Sequence, residues 1–507
     1  MEKIKINLRK TLKRPEFIAL FLILLLGTIL RLYKIDGFMT FLGDEGRDMI
    51  IVRRLLVDGN FFLIGPGTSV GNMYLGPLYY YLIAPALLLA NFSPVGPSVF
   101  VALVGVATIY LTWHACRKWF GSTAALIAAA LYAISPIVII NSRSSWNPNI
   151  MPFFALLTVY SLWSIWHEKK YGWFYVLGVS FAFVLQSHYL GILLLPVILI
   201  IWVVSLRNLK DKKQFLTKSF YGLLIFAALM SPLLIFDILH NWMNVRALFA
   251  LLGGEGSGST FLGPISALAN FPKTVFLIFS NLIGATNNLI SQIFVIFAFL
   301  IGLLAFLRRK SSNFFGKPMI LLLLWLTVGI AGIAFFNHEI YSHYFGFLFP
   351  APFILFAALS QFTIDNLKMT GKLLIGVLAV EILIVSFINS PARGVPGYQM
   401  QRARLVAQKI KEEALGERFN LAVIAERNYE DGYKYFLEVW GQPVTHLDPQ
   451  RFKESVTSQL FVVCEKPQKE CDPTHSPKAE VANFGWSKIA QEWEVEGVVL
   501  YRLIHSK

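Results

Sequence analysis

The chain has 507 residues, of which 56% are hydrophobic and 15% are charged, and its formal net charge is +15. The mean hydropathy of +0.58 and the long apolar runs between residues 17 and 389 exclude an ordinary soluble protein. The positive charges lie mainly in short segments between the apolar runs, so we expect no nucleic-acid partner.

The apolar runs predict a polytopic α-helical membrane protein, because each crossing needs about 20 mostly apolar residues. The basic segment 1–16 leads directly into the first run and has no small-residue cleavage site, which indicates an uncleaved signal-anchor. Eleven transmembrane spans are predicted, near residues 17–35, 97–115, 122–140, 151–166, 171–187, 190–206, 219–238, 287–307, 318–336, 345–363 and 373–389.

The apolar run 74–90 is predicted to be a re-entrant or interfacial helix in the first outer loop. Pro77 and Pro85 interrupt it, and proline costs a helix interior about 3 kcal/mol. If this run does not cross, the segments richest in lysine and arginine all lie on the side of the N-terminus, as the positive-inside rule requires. We therefore expect a multi-pass cell-membrane protein with a cytoplasmic N-terminus and a long outer loop at about 36–96.

The composition changes near residue 390, which predicts a membrane domain at 1–390 and a small extracytoplasmic α/β domain at 391–507. Cys464 and Cys471 are close enough in sequence to form a disulfide if this domain lies outside the cytoplasm. An accessory or recognition role is the simplest expectation for it. Its predicted elements are helices at Gln399–Ala414 and Tyr429–Trp440 and strands at Leu421–Ala425, Gln459–Val463 and Gly497–Leu503.

The predicted outer loops contain the most unusual polar residues of the chain. The first loop contains the stretch Phe41 to Asp48, in which Asp44, Glu45, Arg47 and Asp48 place three carboxylates and an arginine within five residues. Position and composition alone leave two interpretations open. One is an active-site loop, and the other is an interfacial loop whose charges face water.

Several short motifs follow one another in a recognisable order. They are Asp44-Glu45 in the first outer loop, then Gly76-Pro77-Leu78-Tyr79-Tyr80-Tyr81, Arg117-Lys118-Trp119-Phe120-Gly121, Ala133-Ile134-Ser135-Pro136, Ser142-Arg143 and Phe153-Phe154. Their order and spacing over residues 17 to about 200 resemble the GT-C superfamily of glycosyltransferases. The resemblance is to the family 39 group, which includes protein O-mannosyltransferases and aminoarabinose transferases of lipid A.

The resemblance implies that a sugar moves from a polyprenyl-phosphate donor to a protein, lipid or glycan at the outer face of the membrane. It also implies a catalytic acid in the first outer loop, where Asp44 and Glu45 stand. The chain departs from the family pattern at two points, since Leu75-Gly76-Pro77-Leu78 has no lysine and Trp146-Asn147-Pro148-Asn149 has no acid. Whether the sugar is a hexose or a pentose, and what accepts it, does not follow from the sequence.

Glycosyl transfer passes through an oxocarbenium-like state while the acceptor hydroxyl loses its proton. Asp44 is our choice for the general base of an inverting reaction, and Glu45 either orients the acceptor or is itself the base. The leaving lipid phosphate needs cationic or hydrogen-bonding donors, for which arginine is best suited. The candidate substrate-binding residues are Arg47, Arg143, Asn147, Asn149, His188, Asp237, His240, Arg246, His338, Tyr341 and His343.

Structural roles compete with these assignments. Arg47 is also placed to pair with Asp48 or Glu45, and Asp237 with His240. The spacing of His338, Glu339 and His343 indicates a metal site only weakly, so no metal or other cofactor is predicted.

Two other functions stay open at this point. The first is a membrane transporter or lipid-sugar scramblase, although the chain shows no clear internal repeat of the kind that transporters carry. The second is a non-catalytic family member, which the missing second acid would explain.

Overall fold

The protein is described by a computed structural model over residues 15–68, 73–253, 261–307 and 315–506. The basic segment 1–14 and the basic residues 308–310 lie outside the described residues. The uncleaved signal-anchor and the cytoplasmic N-terminus involve these residues and stay predictions.

The described residues between 15 and 388 are mainly helical, with helix bounds that follow the apolar runs. The α-helices are α1 (Pro15–Leu32), α2 (Ile35–Phe38), α3 (Gly43–Asp58), α4 (Leu78–Leu89), α5 (Val95–Phe120), α6 (Ser122–Ile134), α7 (Pro136–Asn141), α8 (Met151–Trp166), α9 (Trp173–Ser187), α10 (Leu195–Arg207), α11 (Lys213–Leu239), α12 (Met243–Gly253), α13 (Pro264–Leu282), α14 (Asn288–Leu307), α15 (Lys317–Ala334) and α16 (Pro350–Ile388). Short 3-10 helices occur at Asn147–Ile150, Tyr189–Leu194 and Ser342–Leu348.

Within the described ranges, eight helical segments are long and apolar enough to cross a membrane. Shorter apolar helices at Leu78–Leu89, Ser122–Ile134, Trp173–Ser187 and Leu289–Leu304 accompany them. A helix is present at each predicted span, so the prediction of a polytopic helical membrane protein is confirmed. The eight are Pro15–Leu32, Val95–Phe120, Asn147–Trp166, Tyr189–Arg207, Lys213–Leu239, Pro264–Leu282, Lys317–Ala334 and Pro350–Arg393.

The last two predicted spans both lie within α16, which changes direction in its middle. Lys368 has φ 47° and ψ −116°, which no α-helix contains. A Cβ added to Gly371 would lie 2.4 Å from the carbonyl oxygen of Thr363, eight residues earlier. In a straight helix these residues are about 12 Å apart along the axis. The chain therefore turns back at Lys368, as two separate spans require.

The segment between the predicted spans 219–238 and 287–307 contains two helices, α12 and α13. Pro272 and Lys273 break the apolar run in the sequence, yet both lie inside the 19-residue helix α13. The apolar pattern underestimated this segment, in which Ala267, Ile278 and Leu282 are nevertheless buried while Lys273 is exposed.

The C-terminal residues form a four-stranded sheet with the strand order β1-β2-β4-β3. β1 and β2 are parallel, and the other pairs are antiparallel. All five predicted elements are present. The exposed edge strand β3 was missed, because its sequence has few apolar residues. The elements are α17 (Gln399–Ala414), β1 (Asn420–Ile424), α18 (Asp431–Val439), α19 (Phe452–Ser455), β2 (Gln459–Cys464), α20 (Ala479–Phe484), β3 (Ser487–Val495) and β4 (Val498–His505).

The C-terminal domain rests on the helices of the first predicted outer loop. One hydrophobic cluster contains Met49 and Val52 of α3, Leu87 of α4, and Phe436 and Leu437 of α18. A separate cluster on the other face of the sheet contains Cys464, which is disulfide-bonded to Cys471. The domain boundary near residue 390 stays a prediction, since the core on one face of the sheet is shared with the membrane part.

The contact between the C-terminal domain and α3 restricts how often the chain can cross the membrane. Helix α3 and the C-terminal domain must lie on the same side of the membrane, so an even number of crossings separates them. The predicted spans after the first number ten, which satisfies the condition. If only one of α4 and α13 crossed the membrane, the number of crossings would be odd. Helix α4 is too short to cross, at 12 residues or about 18 Å. The even number therefore requires that α13 does not cross either.

Candidate active site

The charged stretch predicted to be a loop forms the first turns of helix α3. The backbone N–H of Leu42 donates to Glu45 Oε2 at 3.0 Å, and Glu45 is buried. A carboxylate at this position satisfies an N–H that the helix leaves unpaired and interacts favourably with the helix dipole. The role of Glu45 in the structure is therefore to begin this helix.

Arg47 lies between Asp44 and Asp48 and binds both. Its Nη1 donates to Asp44 Oδ1 at 2.8 Å, while its Nη2 and Nε donate to Asp48 Oδ1 at 2.8 and 3.1 Å. Tyr80 of α4 also donates its hydroxyl to Asp48 Oδ1 at 3.1 Å. The Asp48 side chain is fully buried, whereas the Asp44 side chain is 44% exposed. Asp44 is thus the acid of this cluster that a ligand can reach.

Burial changes the protonation of the two inner acids. It raises the pKa of Glu45 to about 7, against the opposing hydrogen bond from the Leu42 backbone. It also raises the pKa of Asp48 to about 6, although Arg47 opposes the shift. Burial lowers the pKa of Arg47, but Asp48, Tyr80 and Tyr429 outweigh it and raise the pKa well above its usual value. Arg47 is therefore a permanent cation in this cluster.

Aromatic and histidine side chains from three segments form a second group, which we call the histidine cluster: Trp146, His188, His343 and Tyr344. The ring centroids of Trp146 and His343 are 4.6 Å apart, and those of His188 and His343 are 5.7 Å apart. Tyr344 packs on both histidines, with centroids at 4.6 and 5.2 Å. The structure thus brings together two candidates, His188 and His343, that are 155 positions apart in the sequence.

Both histidines of the cluster are held neutral. Burial lowers the pKa of His188 to about 3, and His343 contributes further to that decrease. Burial lowers the pKa of His343 to about 4, while the nearby carboxylate of Asp44 opposes the change. As neutral groups, these histidines can offer hydrogen bonds and ring faces, but no positive charge, to a ligand. The backbone N–H of Thr40 donates to Ser144 Oγ at 2.8 Å, so the segment that carries Trp146 lies beside the residues that precede α3.

The candidates Arg143, Asn147 and Asn149 donate hydrogen bonds to backbone carbonyl groups of the protein. Arg143 donates from Nε and Nη2 to the carbonyl oxygen of Leu30, at the end of α1, and its guanidinium lies 4.6 Å from the ring centre of Phe38. Asn147 donates to the Ser187 carbonyl at 2.7 Å, and Asn149 donates to the Ser144 carbonyl at 2.8 Å. These contacts shape the loop that carries Trp146.

Asp237, His240 and Arg246 lie around helix α12. Buried Asp237 accepts hydrogen bonds from the backbone N–H groups of Asn244 and Val245, at 2.7 and 3.3 Å, and thereby caps this helix. His240 stacks on Phe236 and is exposed, so the predicted pairing of Asp237 with His240 is not observed. Arg246 is exposed on α12.

His338 and Tyr341 lie in the segment before the 3-10 helix Ser342–Leu348. His338 lines a cavity of about 390 Å³ together with Lys273, Asn270 and Glu339. Tyr341 donates to Glu339 Oε2 at 2.9 Å and stacks on His343. In the part of the chain that the structure describes, no group of three or more His, Cys, Asp or Glu side chains is arranged to hold a metal ion.

The C-terminal domain contributes residues that the sequence did not indicate. Tyr429 donates its hydroxyl to Asp44 Oδ1 at 2.7 Å, and Asn428 Oδ1 accepts from the Gly43 N–H at 2.8 Å. Both follow β1, and Glu465, which accepts from Asn428, follows β2. The carboxyl ends of parallel strands are a common place for functional residues. The polar residues that follow the predicted strand Leu421–Ala425 were thus the feature of the sequence that could have indicated this contribution.

Arg53 and Arg54 of α3 contact the C-terminal domain. Both pair with Glu438 of the C-terminal domain: Arg54 Nη2 lies 2.8 Å from Glu438 Oε2, and Arg53 Nη1 lies 3.7 Å from Glu438 Oε1. These ion pairs join α3 to α18.

Comparison with known proteins supports the resemblance that the motifs indicate. Residues 75–236 match the profile of a family described as dolichyl-phosphate-mannose-protein mannosyltransferase. A candidate mannosyltransferase of Bacillus subtilis (strain 168), YkcB, is 28% identical over 141 residues. That match covers 27% of this chain and 19% of YkcB. The chain therefore spans about a fifth of the length of this relative.

Solved structures share the fold over most of the chain. ArnT from Cupriavidus metallidurans, crystallised with undecaprenyl phosphate, superimposes with a TM-score of 0.63 and 13% identity over 95% of this chain and 97% of ArnT. The oligosaccharyltransferase of Archaeoglobus fulgidus, crystallised with zinc and sulfate, gives a TM-score of 0.53 and 14% identity over 88% of this chain and 67% of that protein. The fold is thus that of ArnT, with the C-terminal sheet domain included.

Proposed function

We propose that the protein transfers a sugar from a polyprenyl-phosphate donor to an acceptor hydroxyl, with Asp44 as the general base. One observation supports this most strongly. In a chain with the ArnT fold, the Asp44 carboxylate is fixed by Arg47 and Tyr429 and is nevertheless 44% exposed. A base needs both a defined orientation and access to the substrate.

The surroundings of the two candidate acids favour Asp44 over Glu45. Glu45 is 6% exposed and its Oε2 accepts a helix N–H, so an acceptor hydroxyl has little access to it. In Asp44, Oδ1 accepts both hydrogen bonds that the described residues donate, which leaves Oδ2 available. We assign the proton of the acceptor hydroxyl to Oδ2. Attack by that hydroxyl in a single displacement would invert the sugar carbon.

The donor is proposed to bind between the acid cluster and the helices that follow. An apolar cavity of about 410 Å³, lined by Met73, Tyr189, Met230 and Leu233, suits part of an isoprenoid chain. The exposed cations Arg246 and Lys273 are the best candidates for the phosphate, since Arg143 is buried and the cluster histidines are neutral. His338 and Tyr341 remain proposed substrate contacts beside them.

We further propose that this site faces the extracytoplasmic side, as the distribution of positive charge predicts. The neutral rings of the histidine cluster, Trp146 among them, would then contact the sugar. Aromatic faces with a few hydrogen-bonding atoms are typical of sites for polar, uncharged ligands.

The test is a transfer assay with the full-length protein in lipid nanodiscs. The donors are undecaprenyl-phosphate and dolichyl-phosphate carrying radiolabelled mannose, glucose or aminoarabinose. The acceptors are membranes and surface extracts from a deletion strain of the source organism. We expect one donor to label one acceptor class, which mass spectrometry then identifies.

The control is Asp44→Asn, whose side chain has the same shape but accepts no proton from the acceptor. Labelling by the wild type that Asp44→Asn abolishes would support the proposal. Equal labelling by both proteins would exclude Asp44 as the base. Movement of the labelled lipid across the bilayer without any transfer would favour the transporter or scramblase instead.

A further inference from the structure

We infer that Tyr429 of the C-terminal domain is a positioning residue for Asp44, so that this domain completes the catalytic site. The inference rests on the proposed function, in which Asp44 is the base. It assigns the C-terminal domain a direct part in catalysis, beyond the accessory role expected from its sequence.

The Asp44 carboxylate, the Arg47 guanidinium and the Tyr429 hydroxyl contact one another at one oxygen atom of Asp44. The Tyr429 hydroxyl donates to Oδ1 at 2.7 Å, Arg47 Nη1 donates to Oδ1 at 2.8 Å, and the same Nη1 lies 3.3 Å from the Tyr429 oxygen. The three groups form a closed triangle, which fixes both the side-chain rotamer and the plane of the carboxylate. Oδ2 then has a single direction in which it can accept a proton.

The backbone on the membrane side is shaped to receive Tyr429. A Cβ added to Gly43 would lie 2.4 Å from the Tyr429 ring, and one added to Gly46 would lie 2.4 Å from the backbone of Asp431. Only glycine allows the domain to approach α3 this closely. The two glycines on either side of Asp44-Glu45 thus serve the contact with the C-terminal domain.

The segment that carries Tyr429 is itself well fixed. Asn428 Oδ1 accepts from the backbone N–H groups of Gly43 and Tyr429, at 2.8 and 2.9 Å. Asn428 Nδ2 donates to Glu465 Oε1, and the Tyr433 hydroxyl donates to the same oxygen at 2.6 Å. Tyr429 is therefore held from both sides, and its hydroxyl position is set by the sheet domain.

The domain has other contacts with the membrane part that do not involve Tyr429. Arg54 makes a two-point ion pair with Glu438, and the Tyr435 hydroxyl donates to the carbonyl oxygen of Phe92. The shared hydrophobic cluster adds to these. Loss of the Tyr429 hydroxyl alone should therefore leave the domain docked, so that its effect on Asp44 can be measured separately.

The experiment compares Tyr429→Phe with Tyr435→Phe in the full-length protein in nanodiscs. Each variant removes one hydroxyl that crosses between the domain and the membrane part. For Tyr429→Phe we expect kcat to fall about 10-fold, because Asp44 loses one of its two anchors, with the donor KM and the Tm nearly unchanged. For Tyr435→Phe we expect kcat to stay within about 2-fold of the wild type, since Asp44 keeps both anchors.

Gly43→Ala gives a second, independent perturbation from the membrane side. Its added methyl group would displace the Tyr429 ring, and we expect a kcat loss similar to that of Tyr429→Phe. An unchanged kcat in Tyr429→Phe, or equal losses in Tyr429→Phe and Tyr435→Phe, would overturn the inference. In that case an active wild type and an inactive Asp44→Asn would leave the proposed function intact, whereas a wild type without transfer would overturn both.

Discussion

The two sides of the candidate site treat ionisable groups in opposite ways. At the start of α3, Arg47 lies between Asp44 and Asp48, so positive and negative charges are kept close together. In the histidine cluster, the half-buried His188 and His343 pack against each other and His343 packs against Trp146, with burial lowering the pKa of both histidines. Ionisable groups at one site thus remain charged or become neutral according to whether an opposite charge is adjacent.

This difference suggests a division of roles. A charged side suits the removal of a proton from an acceptor, because its carboxylate is oriented and accessible. A neutral aromatic side suits the binding of an uncharged sugar, because it adds no charge that must be desolvated. The four predictions below test this comparison, from the largest expected effect to the smallest.

Transfer should depend far more on the charged side than on the neutral side. We expect Asp44→Asn to lower kcat about 1,000-fold, because it removes the general base, and His343→Gln to lower it by about 10-fold or less, because a neutral group replaces a neutral ring. Single-turnover transfer from a labelled donor gives both values. Similar losses in the two variants would contradict the division of roles.

Removal of Arg47 should destabilise the protein through Asp48. In Arg47→Met the fully buried Asp48 loses its partner, and we expect a loss of about 4 kcal/mol at pH 8. The double variant Arg47→Met/Asp48→Asn should recover most of this, because no unpaired charge remains. Thermal unfolding in detergent measures both variants. Failure of Asp48→Asn to restore stability would show that packing, rather than charge, explains the loss.

Glu45→Gln should stabilise the protein at alkaline pH and leave transfer largely intact. Burial raises the pKa of Glu45 from 4.5 to about 7, so the folded state holds the proton more tightly than the unfolded state. Stability from this group is therefore lost as the pH rises from about 4.5 to 7, by about 3 kcal/mol in total. Gln keeps an acceptor for the Leu42 N–H without a buried charge.

Tm is therefore measured for the wild type and for Glu45→Gln at pH 8 and at pH 5. Only at pH 8 should the Tm of the variant exceed that of the wild type. Glu412→Gln, on the exposed face of α17, is the matched control and should change the Tm at neither pH. A loss of transfer as large as that of Asp44→Asn would move the base assignment to Glu45.

The neutral histidines should make the protein sensitive to acid. Burial lowers the pKa of His343 from 6.5 to about 4, so between these values the unfolded state binds a proton that the folded state does not. Stability is complete above pH 6.5 and falls by about 1 kcal/mol at pH 5.5. His343→Gln should reduce this acid-induced decrease in Tm, whereas His240→Gln, at an exposed position, should not. An equal pH response in the wild type and His343→Gln would contradict the assignment.

Much of the membrane part could be predicted from the sequence, because a crossing helix has a minimum apolar length. The same reasoning failed at α13, whose Pro272 and Lys273 divide the apolar run, and at Ser135-Pro136, where one predicted span becomes two helices. In the site, the cluster of acids around Arg47 was visible as a local motif. The roles of Arg143 and Asp237 were not, since their partners are backbone groups that only the fold brings near.

The sequence by itself determined the membrane-spanning architecture and the position of the acid cluster, since both depend on residues close together in the chain. Only the tertiary structure decided which acid is exposed and which are buried. It also brought Tyr429 within 2.7 Å of Asp44 across 385 positions, and His188 against His343. These contacts depend on burial and on long-range packing, which set both the orientation and the charge of a group and leave no local pattern in the sequence.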